Sequence, residues 1–555
     1  MSSTILLNFT IIIGLLVLVS GQGADDLIVK LNQPQSLIRG HALKSENGNT
    51  YYAFQDIPYG APPVGENRFK APKFHAGWDG VLNATQNIKS CYQFSFPSAF
   101  KRGLNQVVET EDCLILNVYT PVVPGTNKKL PVYLFIHGGA FLGGSSSNFG
   151  PKYLIEGDII VVTINYRLGP LGFLSTEDGI VSGNMGIKDQ HLALQWTHKN
   201  IELFGGNPND IVIGGESAGA FSVSYQLLNS RNKGLISGII QQSGTAISGT
   251  AFSANGLESR PRQKAFALGR ELNISIAEGD TSSLIKALRK TSIDALITAA
   301  NQVPSSYSVG FIGQPIWSPV VENAEDEQAF ITTPMHQDFM EGNFNHVPSM
   351  IGFNSEESLF FLPSDEMVSQ FAALNDADPS LLIQDLMNVE NKTKEGIELK
   401  GVYTSKPFSE DPEAFVKFTS DAVFIRSTIR QAELSSKHAP VYLYQFSAGP
   451  NMSPQFPGIA HAAELQYLWD LSDGNGSDKT IRELILPLWW NFIKYKNPTP
   501  GHDSNMQNIE WPTVESNNIA YFNIDEIFSV SSNPRNYETV KEVLLGRLRT
   551  PYLVF

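Results

Sequence analysis

Gly215, Ser217 and Gly219 form a G-x-S-x-G pentapeptide, Gly215-Glu216-Ser217-Ala218-Gly219. It follows the short apolar run Ile211-Val212-Ile213 and precedes a helical pattern through Val223 and Leu227. A serine between a buried strand and a helix N-terminus suits nucleophilic catalysis, because a sharp turn there lifts the hydroxyl above the sheet. The flanking positions must be small, and Gly215 and Gly219 meet that need. The turn also leaves the Ala218 N–H free at the start of the helix, where it can donate to a developing oxyanion. Upstream, His137-Gly138-Gly139-Ala140-Phe141 follows the run Val132-Tyr133-Leu134-Phe135-Ile136. Small residues after a strand let backbone N–H groups point into a site, so this segment reads as a second source of oxyanion donors. Together the two segments point to acyl transfer through a tetrahedral oxyanion. An ordinary strand-to-helix turn is the bland alternative for the serine, and the flanking elements argue against it.

Elements that present such loops recur along the chain. Beside the runs already named, Ile159 to Ile164, Gly238-Ile239-Ile240, Met350-Ile351 and Val441 to Tyr444 have the continuous apolar character of strands buried on both faces. Helical patterns lie between them, one from Asp189 through Leu192, Leu194 and Trp196 to Ile201. Alternating strands and helices predict an α/β fold with a mostly parallel central sheet flanked by helices. Two stretches, about Ser253 to His346 and Leu381 to Ser435, are helix-rich and read as insertions, the first packed over one edge of the sheet. There is no repeat, low-complexity tract or Pro/Gly/Ser-rich linker, so residues 24–555 read as one catalytic domain.

With 42% hydrophobic and 17% charged residues, the 555-residue chain has ample material for a large core. Its formal net charge of -15 repels phosphate backbones, which argues against nucleic acid as a partner. The N-terminus carries an apolar run from Ile11 to Val19 followed by Ser20 and Gly21. This reads as a signal peptide over residues 1–23, with a short membrane anchor as the alternative. Secretion follows from that reading, and no other segment is long and apolar enough to span a bilayer. The two cysteines, Cys91 and Cys113, are expected to form a disulfide in an oxidising compartment. Five glycosylation sequons in the mature chain, at Asn83, Asn273, Asn391, Asn451 and Asn475, agree with export.

These motifs resemble those of the type-B carboxylesterases, a family that includes the cholinesterases, and the overall look is that of insect esterases. Phe204-Gly205-Gly206-Asn207-Pro208 through Gly219 is similar to the family's active-serine signature. Glu111-Asp112-Cys113-Leu114 with Leu116-Asn117-Val118 is similar to its second signature. Matching segments at Ile57-Pro58-Tyr59, Asn165-Tyr166-Arg167 and Gly183-Asn184 extend the resemblance over nearly the whole mature chain. The α/β-hydrolase fold is what the resemblance implies. It also implies the acid Glu357, in Gly352-Phe353-Asn354-Ser355-Glu356-Glu357, and the base His461, in Gly458-Ile459-Ala460-His461-Ala462-Ala463-Glu464. The family usually has Gly after the acid; Ser358 stands here, which leaves Glu356 as a rival. By the same resemblance the oxyanion donors are the N–H groups of Gly139, Ala140 and Ala218, with His137 shaping their loop. Arg68 with Glu111, and Arg167 with Asp189, resemble the family's buried ion pairs, and Ser243 resembles a serine that supports the triad, with a plain strand-end turn as the alternative. The family needs neither a metal nor an organic cofactor.

Cholinesterases use a tryptophan inside the first disulfide loop, and no tryptophan lies between Cys91 and Cys113. Choline recognition by cation–π contact at that place is therefore not expected. Juvenile hormone esterases usually carry Gln before the serine, so Glu216 counts against hormone cleavage without excluding it. The expected substrates are uncharged, fairly apolar esters: odorant, hormone, dietary or xenobiotic. Two other readings stay open: a non-catalytic binding or adhesion protein, and a slow-turnover carrier that sequesters esters. The oligomeric state is not legible.

Overall fold

The computed structural model describes residues 27–94, 107–251, 261–303, 316–384, 386–451, 455–471, 478–501 and 507–555. The segment read as a signal peptide and the sequon at Asn475 lie outside these residues. A thirteen-stranded sheet organises the fold. Its twelve-strand path comprises β1 (Leu27–Lys30), β2 (Leu37–Lys44), β3 (Thr50–Pro58), β4 (Ile115–Thr120), β5 (Leu130–Ile136), β6 (Ile160–Ile164), β7 (Gly206–Glu216), β8 (Gly238–Gln242), β9 (Ser349–Asn354), β10 (Val441–Phe446), β11 (Ala520–Ile524) and β12 (Ser529–Ser532). They run in the order 1-2-3-4-6-5-7-8-9-10-11-12, and the short strand Val81–Asn83 pairs with β2. From β6 to β11 all neighbours are parallel. The N-terminal strands and β12 are antiparallel additions.

The central strands are continuous apolar runs because both faces are covered. Successive side chains feed two separate cores. Val132, Leu134 and Ile136 of β5, with Ile211 and Ile213 of β7, pack on one face. That core also takes Leu192, Leu194 and Trp196 of α1 (Met185–Asn200) and Val223 and Leu227 of α2 (Ala218–Leu228). Tyr133, Phe135 and Val212 point the other way, onto Trp489 and Phe492 of α3 (Lys479–Tyr495). The strand order reverses at β5: the chain leaves β5 for β6 on one side and returns to β7 on the other. The crevice outside the carboxyl ends of β5 and β7 is therefore where an open α/β sheet is expected to bind ligand.

Among its described residues the first helix-rich stretch forms four helices, and apolar residues such as Phe266 and Leu284 join the core that holds α1 and α2. The second begins earlier than the sequence pattern suggested, with a helix over Asp365–Ala377. It ends in a long helix whose middle turn, Asp421–Ile425, is π-helical. Its last segment, Arg426–Ser435, packs on β9 and β10. Cys91 and Cys113 are joined in a disulfide. Among the described residues no helix is long and apolar enough to cross a membrane.

Candidate active site

Ser217 sits between the end of β7 and the start of α2, with φ 56 and ψ -124. That is strained backbone for a residue with a side chain. The neighbours explain how it is held. A Cβ on Gly219 would lie 2.0 Å from the Ile136 carbonyl oxygen, and one on Gly215 would lie 2.4 Å from the Gly219 carbonyl carbon. Only glycine lets α2 approach β5 so closely. The Ser217 N–H donates to the Gln242 carbonyl at 2.9 Å, which ties the turn to β8.

The loop after β5 abuts this turn. A Cβ on Gly138 would stand 3.0 Å from the Ser217 Cβ and 2.6 Å from the Glu216 carbonyl oxygen. Gly139 (φ 108) and Ala140 (φ 52) both take left-handed backbone. His137 is buried and stacks on Tyr166 at 4.5 Å, and Tyr166 donates its hydroxyl to the His137 carbonyl. Burial pushes its pKa down to about 4, so the ring is neutral at pH 7 and shapes the loop. Ala218, as the first residue of α2, has no carbonyl one turn back to receive its N–H.

Glu357 opens a 3-10 turn (Glu357–Phe360) just beyond β9. One carboxylate oxygen accepts from Ser243 Oγ at 2.5 Å and from the Asn354 N–H at 2.7 Å. The other lies 2.6 Å from His461 Nδ1. Glu356 points elsewhere, onto Arg535. Ser358, where the family usually has Gly, bonds through its N–H and hydroxyl to Ser420 Oγ. Ser243 and Glu357 thus lie together beside His461, and Glu356 is turned away from the histidine.

His461 Nε2 is 3.1 Å from Glu216 Oε1, and neither atom has a hydrogen-bond partner. Nε2 and the Ser217 hydroxyl are not hydrogen-bonded; such bonds often tighten only with substrate in place. Burial lowers the pKa of His461, but Glu216 and Glu357 outweigh it and raise it to about 9. Burial likewise raises Glu216, to about 8, against the pull of His461. A third buried carboxylate, Glu464, is held by Gln242 Nε2 at 2.8 Å and Asn354 Nδ2 at 2.7 Å. Phe424 lies flat on the imidazole, 4.2 Å between centroids at 17°, and Phe360 and Phe361 flank it. The aromatic surface continues through Phe221 to Phe141.

Sequence reasoning missed Glu216 as a neighbour of the histidine, although it stands inside the pentapeptide. It gave no role to Glu464, the last residue of the histidine motif. Nothing in the sequence marked Phe424 or Arg535. The two ion pairs form as the resemblance implied: Arg68 grips Glu111 through two 2.7 Å bonds, and Arg167 grips Asp189 at 2.8 and 2.7 Å. Asn83, Asn273, Asn391 and Asn451 are exposed. Among the described residues no group of three or more His, Cys, Asp or Glu side chains is arranged to hold a metal.

The mostly parallel sheet, its strand-order reversal at β5 and the strained serine at the carboxyl end of β7 define an α/β-hydrolase. The chain belongs to the carboxylesterase family, whose model matches residues 25–540, and is a serine carboxylic ester hydrolase. It is 31% identical to juvenile hormone esterase of Tribolium castaneum over 547 residues, covering 90% of this chain and 88% of the relative. It is 32% identical to esterase FE4 of Myzus persicae, covering 94% and 93%. The crystal structure of juvenile hormone esterase from Manduca sexta, with OTFP covalently attached, superposes with a TM-score of 0.80 at 26% identity, covering 94% of this chain and 99% of that one.

Proposed function

We propose that the protein hydrolyses uncharged, fairly apolar carboxylic esters through an acyl-enzyme on Ser217. The observation that carries this reading is the Glu357–His461 pair, bonded at 2.6 Å and buried beside a serine on a strained turn. His461 takes the hydroxyl proton as Ser217 Oγ attacks the ester carbonyl carbon. The carbonyl oxygen becomes an oxyanion, which the N–H groups of Gly139, Ala140 and Ala218 stabilise. His461 then protonates the leaving alkoxide, and the alcohol departs. Water, deprotonated by the same histidine, releases the carboxylic acid and restores the serine. Glu357 keeps Nδ1 protonated and stabilises the imidazolium.

The substrate class rests on the rings around His461, Phe360, Phe361 and Phe424, which offer apolar surface to an acyl or alcohol group. The missing tryptophan between Cys91 and Cys113 argues against choline esters. The disulfide and the exposed sequon asparagines support an extracellular, glycosylated protein. A non-catalytic binding protein would have no need of three buried groups in this order.

Hydrolysis of p-nitrophenyl esters of rising acyl length, with Ser217→Ala beside the wild type, tests the reading. Turnover by the wild type and none by the variant is expected. Equal inertness on every ester would overturn it. A large acyl-enzyme burst followed by a very small kcat would identify a sequestering carrier.

A further inference from the structure

The π-helical turn Asp421–Ile425 interrupts an otherwise regular helix, Pro412–Ser420 before it and Arg426–Ser435 after it. One extra residue in a turn rotates everything beyond it by about 100°, at some cost in backbone energy, and such turns cluster at functional sites. What this turn presents is Phe424, face to face with His461.

The first residue of the turn is anchored. Asp421 is buried and accepts from Tyr403 Oη at 2.8 Å and from Arg535 Nε at 2.7 Å. The rest of the Arg535 guanidinium reaches the other side of the site. Nη1 donates to Glu356 Oε1 at 2.8 Å and to the Ser355 carbonyl at 3.2 Å. Nη2 donates to Glu356 Oε2 at 3.3 Å and to the Lys417 carbonyl at 3.1 Å. All five N–H groups are used, on a fork that a lysine cannot reproduce. Ser355 and Glu356 immediately precede Glu357. One guanidinium therefore ties together the loop that bears the acid and the turn that bears Phe424.

We propose that Phe424 and Arg535 are positioning residues for His461: Arg535 fixes the distance between Glu357 and Phe424, so that the imidazole is held at its Nδ1 edge by one and across its face by the other. This rests on the proposed role of His461. The clamp leaves one productive orientation for the ring, with Nε2 toward the serine turn. The charged groups that face the imidazole are Glu357, Glu216 and Glu464, and the rings that face it are Phe360, Phe361 and Phe424. An aromatic face favours the charged imidazolium, so losing it lowers the histidine pKa.

The test compares wild type, Phe424→Leu, Phe424→Tyr, Arg535→Lys, the Phe424→Leu/Arg535→Lys double variant and Ser217→Ala on p-nitrophenyl butyrate. Phe424→Leu keeps the site apolar and is expected to lower kcat about tenfold with little change in KM. It should also move the acid limb of the kcat/KM profile down by about half a pH unit. Phe424→Tyr should restore most of both. Arg535→Lys should lower kcat in the same way, and the double variant should lose much less than the product of the two single losses. A KM change alone for Phe424→Leu, with kcat and pH profile unmoved, would make Phe424 only a wall of the pocket and overturn the proposal. Multiplicative losses in the double variant would overturn the coupling. If Arg535→Lys does not fold, Glu356→Gln with Phe424→Leu runs the same cycle. Activity surviving in Ser217→Ala would sink the esterase mechanism itself; a dead Ser217→Ala beside a fully active Phe424→Leu would sink this inference alone.

Discussion

Glu216→Gln removes a buried carboxylate whose oxygen is 3.1 Å from His461 Nε2, the atom proposed to receive the serine proton. At that distance, with an effective dielectric near 20, a full negative charge favours the imidazolium by about 5 kcal/mol, a ceiling of about four pKa units. Glu216 does not exert the full effect, because burial raises its own pKa to about 8 and it competes with His461 for protons. The pair titrates together, so the acid limb of kcat/KM belongs to both groups. With the pKa of His461 raised, its base form is the minor species at pH 7. Removing the carboxylate lowers the histidine pKa, so the acid limb moves to lower pH, by at least about one unit. The imidazolium formed in the transition state loses the same stabilisation, so the high-pH plateau falls. Measuring kcat/KM for p-nitrophenyl butyrate from pH 5.5 to 9.5 on both proteins checks this. An acid limb that stays in place, or moves up, would refute the claim that Glu216 charges His461.

Three further changes follow from distances at the site and in the core. Ser243→Ala takes from Glu357 one of its three bonds, at 2.5 Å; a bond to a charged group contributes about 1.5–3 kcal/mol, so kcat should fall roughly ten- to a hundredfold with KM held, and an unchanged kcat would contradict the supporting role. Gly219→Ala places a Cβ 2.0 Å from the Ile136 carbonyl oxygen, backbone against backbone; loss of activity and a lower melting temperature are expected, and a variant with wild-type melting and turnover would show that the turn tolerates bulk. His336 is buried beside the Arg430 guanidinium, and burial first, then Arg430, pushes its pKa down to about 3. Its folded pKa lies below the unfolded value, so its contribution is complete above about pH 6.5 and is lost as pH falls below that. The stability difference between wild type and His336→Gln should therefore shrink by about 2 kcal/mol between pH 6.5 and 5 in urea unfolding, and a constant difference would refute the assignment.

The central strands were legible because burial on both faces leaves no polar alternation: β5, β6 and β10 read as plain apolar runs. The outer strands were not. β2, Leu37–Lys44, carries Arg39, His41 and Lys44, and β3, Thr50–Pro58, breaks its register with β4 between Phe54 and Ile57. Neither pattern stands out from loop sequence, and only pairing with a neighbour makes them strands. The helix over Asp365–Ala377 was missed for a similar reason. Its buried residues are few, Val368, Ala372 and Asn375, so its apolar stripe is too thin to mark a start.

At the site, legibility followed chain distance. The serine turn is local, and its two glycines declare the close approach to β5. Glu357 and His461 lie 140 and 244 positions further on, and nothing in spacing alone joins them to Ser217; the resemblance supplied them. The three carboxylates around the histidine show what no local pattern encodes. Glu464 is satisfied by two amides and Glu357 by a hydroxyl, a backbone N–H and the imidazole. Glu216 Oε1 has no hydrogen bond and faces Nε2 alone. A buried carboxylate without partners favours its protonated form, whereas one beside an imidazolium favours the charged form. Glu216 is thus the one acid of the three that faces Nε2, the atom proposed to take the Ser217 proton. That coupling depends on 3.1 Å between two side chains 245 positions apart, a relation set by the fold and not by either motif.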